Sequence, residues 1–171
     1  MTSAQQEPQK IYLKDYTAPD FAIEETELWF DLHEDFCRVR SALTIKKLNP
    51  KARDLVLNGV DVVLESVRVD GQTWPAGSYQ KTDETLTLPN VSESFFLEIS
   101  VKIKPQENTS LEGLYKSSSY FTTQCEAQGF RKITYFMDRP DVMSTYTVHI
   151  EADEKKYPVL LSNGDLIRTE K

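Results

Sequence analysis

The stretch "SFFLEISVKIKP" (residues 94–105) decides the fold. Phe95, Leu97, Ile99, Val101 and Ile103 recur at every second position, and Phe96, Glu98, Ser100, Lys102 and Lys104 fill the places between them. Successive side chains of a strand point to opposite faces of a sheet, so this spacing predicts a strand with one buried face and one mostly wet face. A helix would need its apolar residues three and four apart.

The same period spreads outward. In "FCRVRSALTI" (residues 36–45), Cys37, Val39, Ser41, Leu43 and Ile45 share one face. In "AIEETELWFDL" (residues 22–32), Leu28, Phe30 and Leu32 alternate with polar neighbours. "DLVLNG" ends on the turn signal Asn58-Gly59, and "VVLESVRVDGQTW" folds back at Asp70-Gly71 as a short hairpin. "ETLTLP" reads as a short strand, and "STYTVHIEAD" (residues 144–153) as a longer one. A last hairpin is predicted about Asn163-Gly164 in "YPVLLSNGDLIRT". The best helical candidate is a single turn in "DRPDVMS" (residues 138–144).

Many strands with turn signals between them predict an all-β chain, sandwich-like or built on curved antiparallel or mixed sheets. We expect a flexible polar tail over residues 1–10 and one β domain over residues 11–171. The final hairpin would leave its last strand with nothing to cover the sheet edge, which predicts a domain truncated at its C-terminal end.

Composition narrows the function. The formal charge of −7, with no basic run longer than a Lys-Lys pair, excludes a phosphate-binding surface and hence nucleic acid. No segment has the length of a membrane span, and the N-terminus lacks an apolar signal stretch. Two cysteines, Cys37 and Cys125, do not make a secreted scaffold, so free thiols in the cytoplasm are expected. The sequons at Asn90 and Asn108 are read as chance.

A self-contained catalytic centre is hard to find. "HEDFC" (residues 33–37) begins like a zinc-protease motif but ends in Cys37, and it falls where a turn is expected. His33 is therefore read as an exposed turn residue, and His149 in "YTVHIEA" as a solvent-facing strand residue. "KSSSY" (residues 116–120) lacks a Gly-x-Ser-x-Gly context and reads as a polar loop. Cys125 lies beside Glu126, and a neighbouring carboxylate raises a thiol's pKa, so we read a half-buried, unreactive cysteine.

One connection is chemically dense: Thr123-Gln124-Cys125-Glu126-Ala127, then Gly129-Phe130-Arg131, then Asp138-Arg139-Pro140-Asp141-Val142. With "KDYTAPDFAI" (residues 14–23) and "LVLNGVDVVLESVRVDG" (residues 55–71), this pattern resembles the N-terminal domain of bacterial zinc aminopeptidases of the M1 type, the aminopeptidase N family. The resemblance covers nearly the whole chain and is most specific over residues 111–164.

The resemblance implies a saddle-shaped β domain that caps a thermolysin-like zinc domain and carries no metal itself. It implies that Glu126 binds the α-ammonium of a peptide substrate's N-terminus, and that Gln124 lines the pocket for the first side chain, with Ala127 in the same loop. On its own, a loop acid such as Glu126 reads as solvated. Zinc would belong to the parent enzyme and the downstream zinc domain would be this domain's partner. The family's His-Glu-x-x-His, third zinc-ligand glutamate, Gly-Ala-Met-Glu-Asn and catalytic tyrosine motifs are missing from these residues, so the chain alone is expected to be inactive. Arg131 is expected to pair with Asp138 or Asp141 as a brace for the loop. The competing reading is a stand-alone β-sandwich that binds protein or peptide through its edges or loops.

Overall fold

The computed structural model describes residues 12–170, so the polar tail at 1–10 lies outside the described residues. In chain order the strands are β1 (Phe21–Leu32), β2 (Cys37–Lys47), β3 (Leu55–Asn58), β4 (Val63–Val69), β5 (Gln72–Thr73) and β6 (Gln80–Lys81). They continue with β7 (Thr85–Leu88), β8 (Ser94–Ile103), β9 (Gly113–Ser117), β10 (Tyr120–Gln124) and β11 (Thr145–Ala152). The only helical pieces among the described residues are two 3₁₀ turns, Leu13–Asp15 and Phe130–Lys132. The all-β expectation holds.

Six strands form the main sheet in the order β11-β1-β2-β8-β4-β5. A three-stranded sheet runs β3-β7-β6, and β9 and β10 form a separate hairpin. The stretch at 94–105 is β8, seated between β2 and β4 with antiparallel neighbours on both sides. Its five alternating apolar residues are all buried, as are Cys37, Val39, Ser41, Leu43 and Ile45 opposite them on β2. Leu55, Leu57, Leu86 and Leu88 of the smaller sheet join the same hydrophobic cluster, along with residues 133, 135, 136 and 137. Each fully buried Leu or Ile contributes about 1.5–3 kcal/mol over an exposed position. Ser41, the one polar residue on the buried face of β2, lies 3.3 Å from the Thr134 hydroxyl, so burial leaves it hydrogen-bonded.

Strand β1 changes phase partway. Phe21 and Ile23 are buried at odd positions, Thr26 and Leu28 at even ones. The β1–β2 register shifts between Ile23 and Glu25, and this bulge reconciles the two phases. Beyond the bulge, Leu28, Phe30 and Leu32 share a face with the core side of β2. Strand β11 runs parallel to β1 and sets Tyr146, Val148 and Ile150 on that same face.

Three sequence expectations are corrected. Residues 138–144 contain no helix; Val142 N–H donates to the Arg139 carbonyl (3.2 Å), closing a turn around Pro140 and Asp141. Pro140 suits that turn as well as it would suit a first helical position. No hairpin forms about Asn163-Gly164: residues 158–170 adopt no strand, and Leu161, Leu166 and Ile167 are exposed. Asn58-Gly59 is not simply a turn. Asn58 stays in β3 and exchanges backbone hydrogen bonds with Phe136 (2.7 and 3.0 Å). A Cβ on Gly59 would strike the ring of Tyr135, so glycine here allows close packing.

Candidate functional site

The β9–β10 hairpin delivers the loop that sequence singled out. Gln124 ends β10, paired with Gly113 at the start of β9. The chain turns back at once: Gly129 N–H donates to the Cys125 carbonyl (2.7 Å), and the 3₁₀ turn Phe130–Lys132 follows. Two glycines make the loop base compact. A Cβ on Gly129 would overlap the Gln124 carbonyl and meet Gly113 N at 3.0 Å and Cys125 Cα at 3.1 Å. Gly113 has φ +72°, where side chains are disfavoured, and a Cβ there would meet Lys132 Cβ at 2.6 Å. Backbone packs on backbone at this point, which fixes the exit direction of residues 125–128.

Arg131 forms the brace. Its Nε donates to Asp138 Oδ2 (2.9 Å), its backbone N–H to the same oxygen (3.1 Å), and Nη2 to the Asp138 carbonyl (3.1 Å). Asp138 is buried, and its carboxylate is held by Arg131 twice over. Of the two acids expected for Arg131, the structure selects Asp138. Asp141 instead takes Arg139, at 2.7 Å from Nε and 2.6 Å from Nη2. Arg139 Nη2 also donates to the Thr17 carbonyl (2.8 Å) and Tyr16 Oη donates to Asp141 (3.0 Å), tying the N-terminal segment to this turn. The Arg139 hydrogen bonds hold the Asp141 carboxyl at about 2.

Glu126, Ala127 and Gln124 are exposed at the tip, and the Glu126–Ala127 peptide bond is cis. Glu126 and Ala127 line a cavity of about 860 Å³. Much of its wall is apolar, with Leu28, Phe30 and Leu32 from β1, Val148 and Ile150 from β11, and Phe130 and Phe136, while Asp138 and Arg139 add charge. Gln124 does not face this space; its Nε2 donates to the Glu126 carbonyl (3.2 Å). The loop therefore presents one carboxylate and one amide on a tightly held base. Such an arrangement can bind a cation through the Glu126 carboxylate.

The other sequence candidates separate cleanly. His33 is exposed in the β1–β2 turn with Nε2 2.8 Å from Asp31. His149 is exposed on β11, 2.8 Å from Glu27 and stacked on Trp29. Neither joins a metal-ligating group, and no three His, Cys, Asp or Glu residues converge to hold a metal among the described residues. These residues do not fit a zinc site. Burial, with Asp138 second, pushes the Cys125 thiol up, and burial drives Cys37 to about 12. Both cysteines are free.

Sequence reasoning missed one cluster. Glu34, in the β1–β2 turn, accepts from Lys116 Nζ of β9 (2.8 Å) and from Tyr157 Oη (2.8 Å), with Lys156 Nζ at 3.5 Å. The Lys116 and Tyr157 hydrogen bonds lower its carboxyl to about 2. The partners lie 82 and 123 residues away in sequence, beyond any local signal.

Against this geometry, a family model described as the peptidase M1 N-terminal domain matches residues 27–171. An aminopeptidase N from Caulobacter vibrioides is 49% identical over 158 residues, covering 92% of this chain and 18% of that protein. One from Escherichia coli is 43% identical over 162 residues, again spanning 18% of its length. The chain thus spans less than a fifth of the relatives it matches. Among solved structures, Legionella pneumophila aminopeptidase A in complex with aspartic acid superposes with a TM-score of 0.85 at 31% identity, over 91% of this chain and 19% of that one. An M1 zinc metallopeptidase from Deinococcus radiodurans shares the fold at a TM-score of 0.64 and 16% identity, over 77% of this chain and 32% of its own.

Proposed function

The chain belongs to the peptidase M1 N-terminal domain family, and from that premise we propose that it is the substrate-anchoring domain of a zinc aminopeptidase. Glu126 holds the free α-ammonium of a peptide, and Ala127 beside it, with Gln124 acting through its hydrogen bond to the Glu126 carbonyl, shapes the place of its first residue. The observation that carries this reading is the exposed Glu126 carboxylate on a loop whose base is locked by Gly113, Gly129 and the Arg131–Asp138 pair.

The physics suits an exopeptidase. A carboxylate fixed at the end of a cleft favours a positive N-terminus over the neutral N–H of an internal peptide bond. A hydrogen bond to a charged group contributes about 1.5–3 kcal/mol, and more where water is excluded. Fixing the amine also fixes the distance from it to the scissile carbonyl, which is a positioning effect. In the relatives' class of enzyme, zinc supplies an activated water for hydrolysis; this chain's residues bind and orient.

The partner is the zinc domain of the same protein. The half-open cavity supports that assignment, since Tyr146, Val159 and Leu161 leave apolar surface around it for another domain to cover. A cytoplasmic setting accords with two free thiols. Among the described residues no helix is long and apolar enough to cross a membrane.

The test is direct. The coding sequence beyond residue 171 is expected to contain His-Glu-x-x-His, and the full-length protein to release N-terminal residues and lose that activity to a chelator. A stop codon immediately after Lys171, or a full-length protein indifferent to metal removal, would overturn the assignment.

A further inference from the structure

The anchor loop leaves a hairpin with two ends, and the interactions above fix only one of them. Near Gln124, the glycine contacts and Arg131–Asp138 hold the loop base. At the other end, beside the Ser118–Ser119 turn, the hairpin makes no ladder with the larger sheets, and its backbone is tied there by Lys116 N–H donating to the Pro105 carbonyl (3.0 Å), just past β8. Lys116 and Phe121 are cross-strand partners there. Lys116 Nζ reaches Glu34 at 2.8 Å and lies 5.4 Å from the centre of the Phe121 ring, while Phe121 packs on Tyr157 at 5.3 Å. Tyr157 in turn donates to Glu34. One carboxylate on the main sheet's β1–β2 turn therefore gathers the hairpin's lysine and the tyrosine that clamps its phenylalanine.

We propose that Glu34 is a positioning residue for substrate binding: it anchors the far end of the β9–β10 hairpin to the main sheet and so sets where that hairpin presents the Gln124–Ala127 loop. The inference rests on the reading of that loop as the amine anchor. Gln124 lies three positions beyond Phe121 on β10, about 10 Å of extended chain, so a tilt at one end is carried to the other. Single exposed ion pairs have little effect on stability. This group differs in joining three elements at once: the β1–β2 turn, the hairpin and the segment after β11. Its effect is therefore read in substrate binding, with stability as the control.

The experiment uses the full-length protein and a free-amine peptide substrate. Glu34→Ala is compared with Glu34→Gln, which keeps an acceptor for Tyr157 but loses the charge facing Lys116, and with Lys116→Met. All three are expected to raise KM, by about three- to five-fold for Glu34→Ala, with kcat nearly unchanged. Glu34→Gln should fall between wild type and Glu34→Ala. Combined with Glu126→Ala, the Glu34→Ala effect on KM should vanish, because Glu34 acts only through the anchor. A lowered Tm with unchanged KM, or a KM effect that persists in the Glu126→Ala background, would overturn the inference. If Glu126→Ala raises KM and Glu34→Ala does not, Glu34 alone is wrong. If Glu126→Ala itself leaves KM unchanged, the anchor reading fails and this inference falls with it.

Discussion

The Nε of Arg131 lies 2.9 Å from Asp138 Oδ2, and the backbone N–H of Arg131 donates to that same oxygen. One buried carboxylate thereby closes the loop that begins at Cys125 and fixes the start of the 3₁₀ turn behind it. Arg131→Ala leaves Asp138 with its backbone donor but without its counter-charge. The expected cost is about 2 kcal/mol, read from urea unfolding of the domain. Arg139→Ala, at the more exposed pair with Asp141, should cost less. Equal losses would mean that burial of Asp138 is not what makes its pairing matter.

Glycine at position 129 is a steric requirement. Its neighbours are backbone atoms of Gln124, Gly113 and Cys125, which cannot swing away as a side chain's end can. Gly129→Ala should therefore displace the loop and raise KM in the full-length protein. Gly71→Ala is the control: its φ of +75° is strained, yet nothing lies within 4 Å and it sits in the β4–β5 turn, so stability falls slightly and KM stays. A Gly129→Ala variant with wild-type KM would show that the loop does not depend on this packing.

Acid should weaken the contacts between distant segments first. Glu34 and Asp141 both have carboxyls held at about 2, by Lys116 and Arg139 respectively. A depressed folded value means stabilisation that is fully present above the unfolded values near 4 and is lost as pH falls toward 2. Thermal unfolding between pH 5 and 2 should show that decline, and a Glu34→Gln/Asp141→Asn double variant should show a shallower one. A double variant with the same pH slope as wild type would remove these two acids from the account.

The thiols should differ in kind from reactive cysteines. Burial raises both, and Cys37 stands at about 12 with no exposed surface. In the folded domain at pH 8, a maleimide or disulfide reagent should leave Cys37 unmodified and label Cys125 only slowly, with both reacting after denaturation. Rapid labelling of Cys125 would mean that the loop opens far more readily than its packing implies.

These contacts mark where the sequence was legible. The alternation in β8 and β2 survives intact because a half-buried strand writes its burial directly into its residue order. In β1 the pattern blurs at Glu24 and Glu25, where a bulge inserts a residue, and only the register with β2 resolves it. Asn163-Gly164 carried a good turn signal, but a hairpin needs strands that find partners, and the flanking leucines are exposed with no ladder. The partner of Arg131 could be narrowed in advance to Asp138 or Asp141, both within ten residues of it, and the structure selects Asp138. Glu34 with Lys116 and Tyr157, or Tyr16 with Asp141 across 125 residues, could not, because such contacts follow from topology.

The most direct test compares Glu126→Ala and wild-type full-length protein on one peptide with a free N-terminus. The account predicts a higher KM and a kcat/KM lower by about ten- to a hundredfold, the scale of one lost charge-assisted hydrogen bond. Glu126→Gln, which keeps an acceptor without charge, should fall between them. Unchanged KM and kcat/KM in Glu126→Ala would contradict the claim that this loop anchors the substrate's amine.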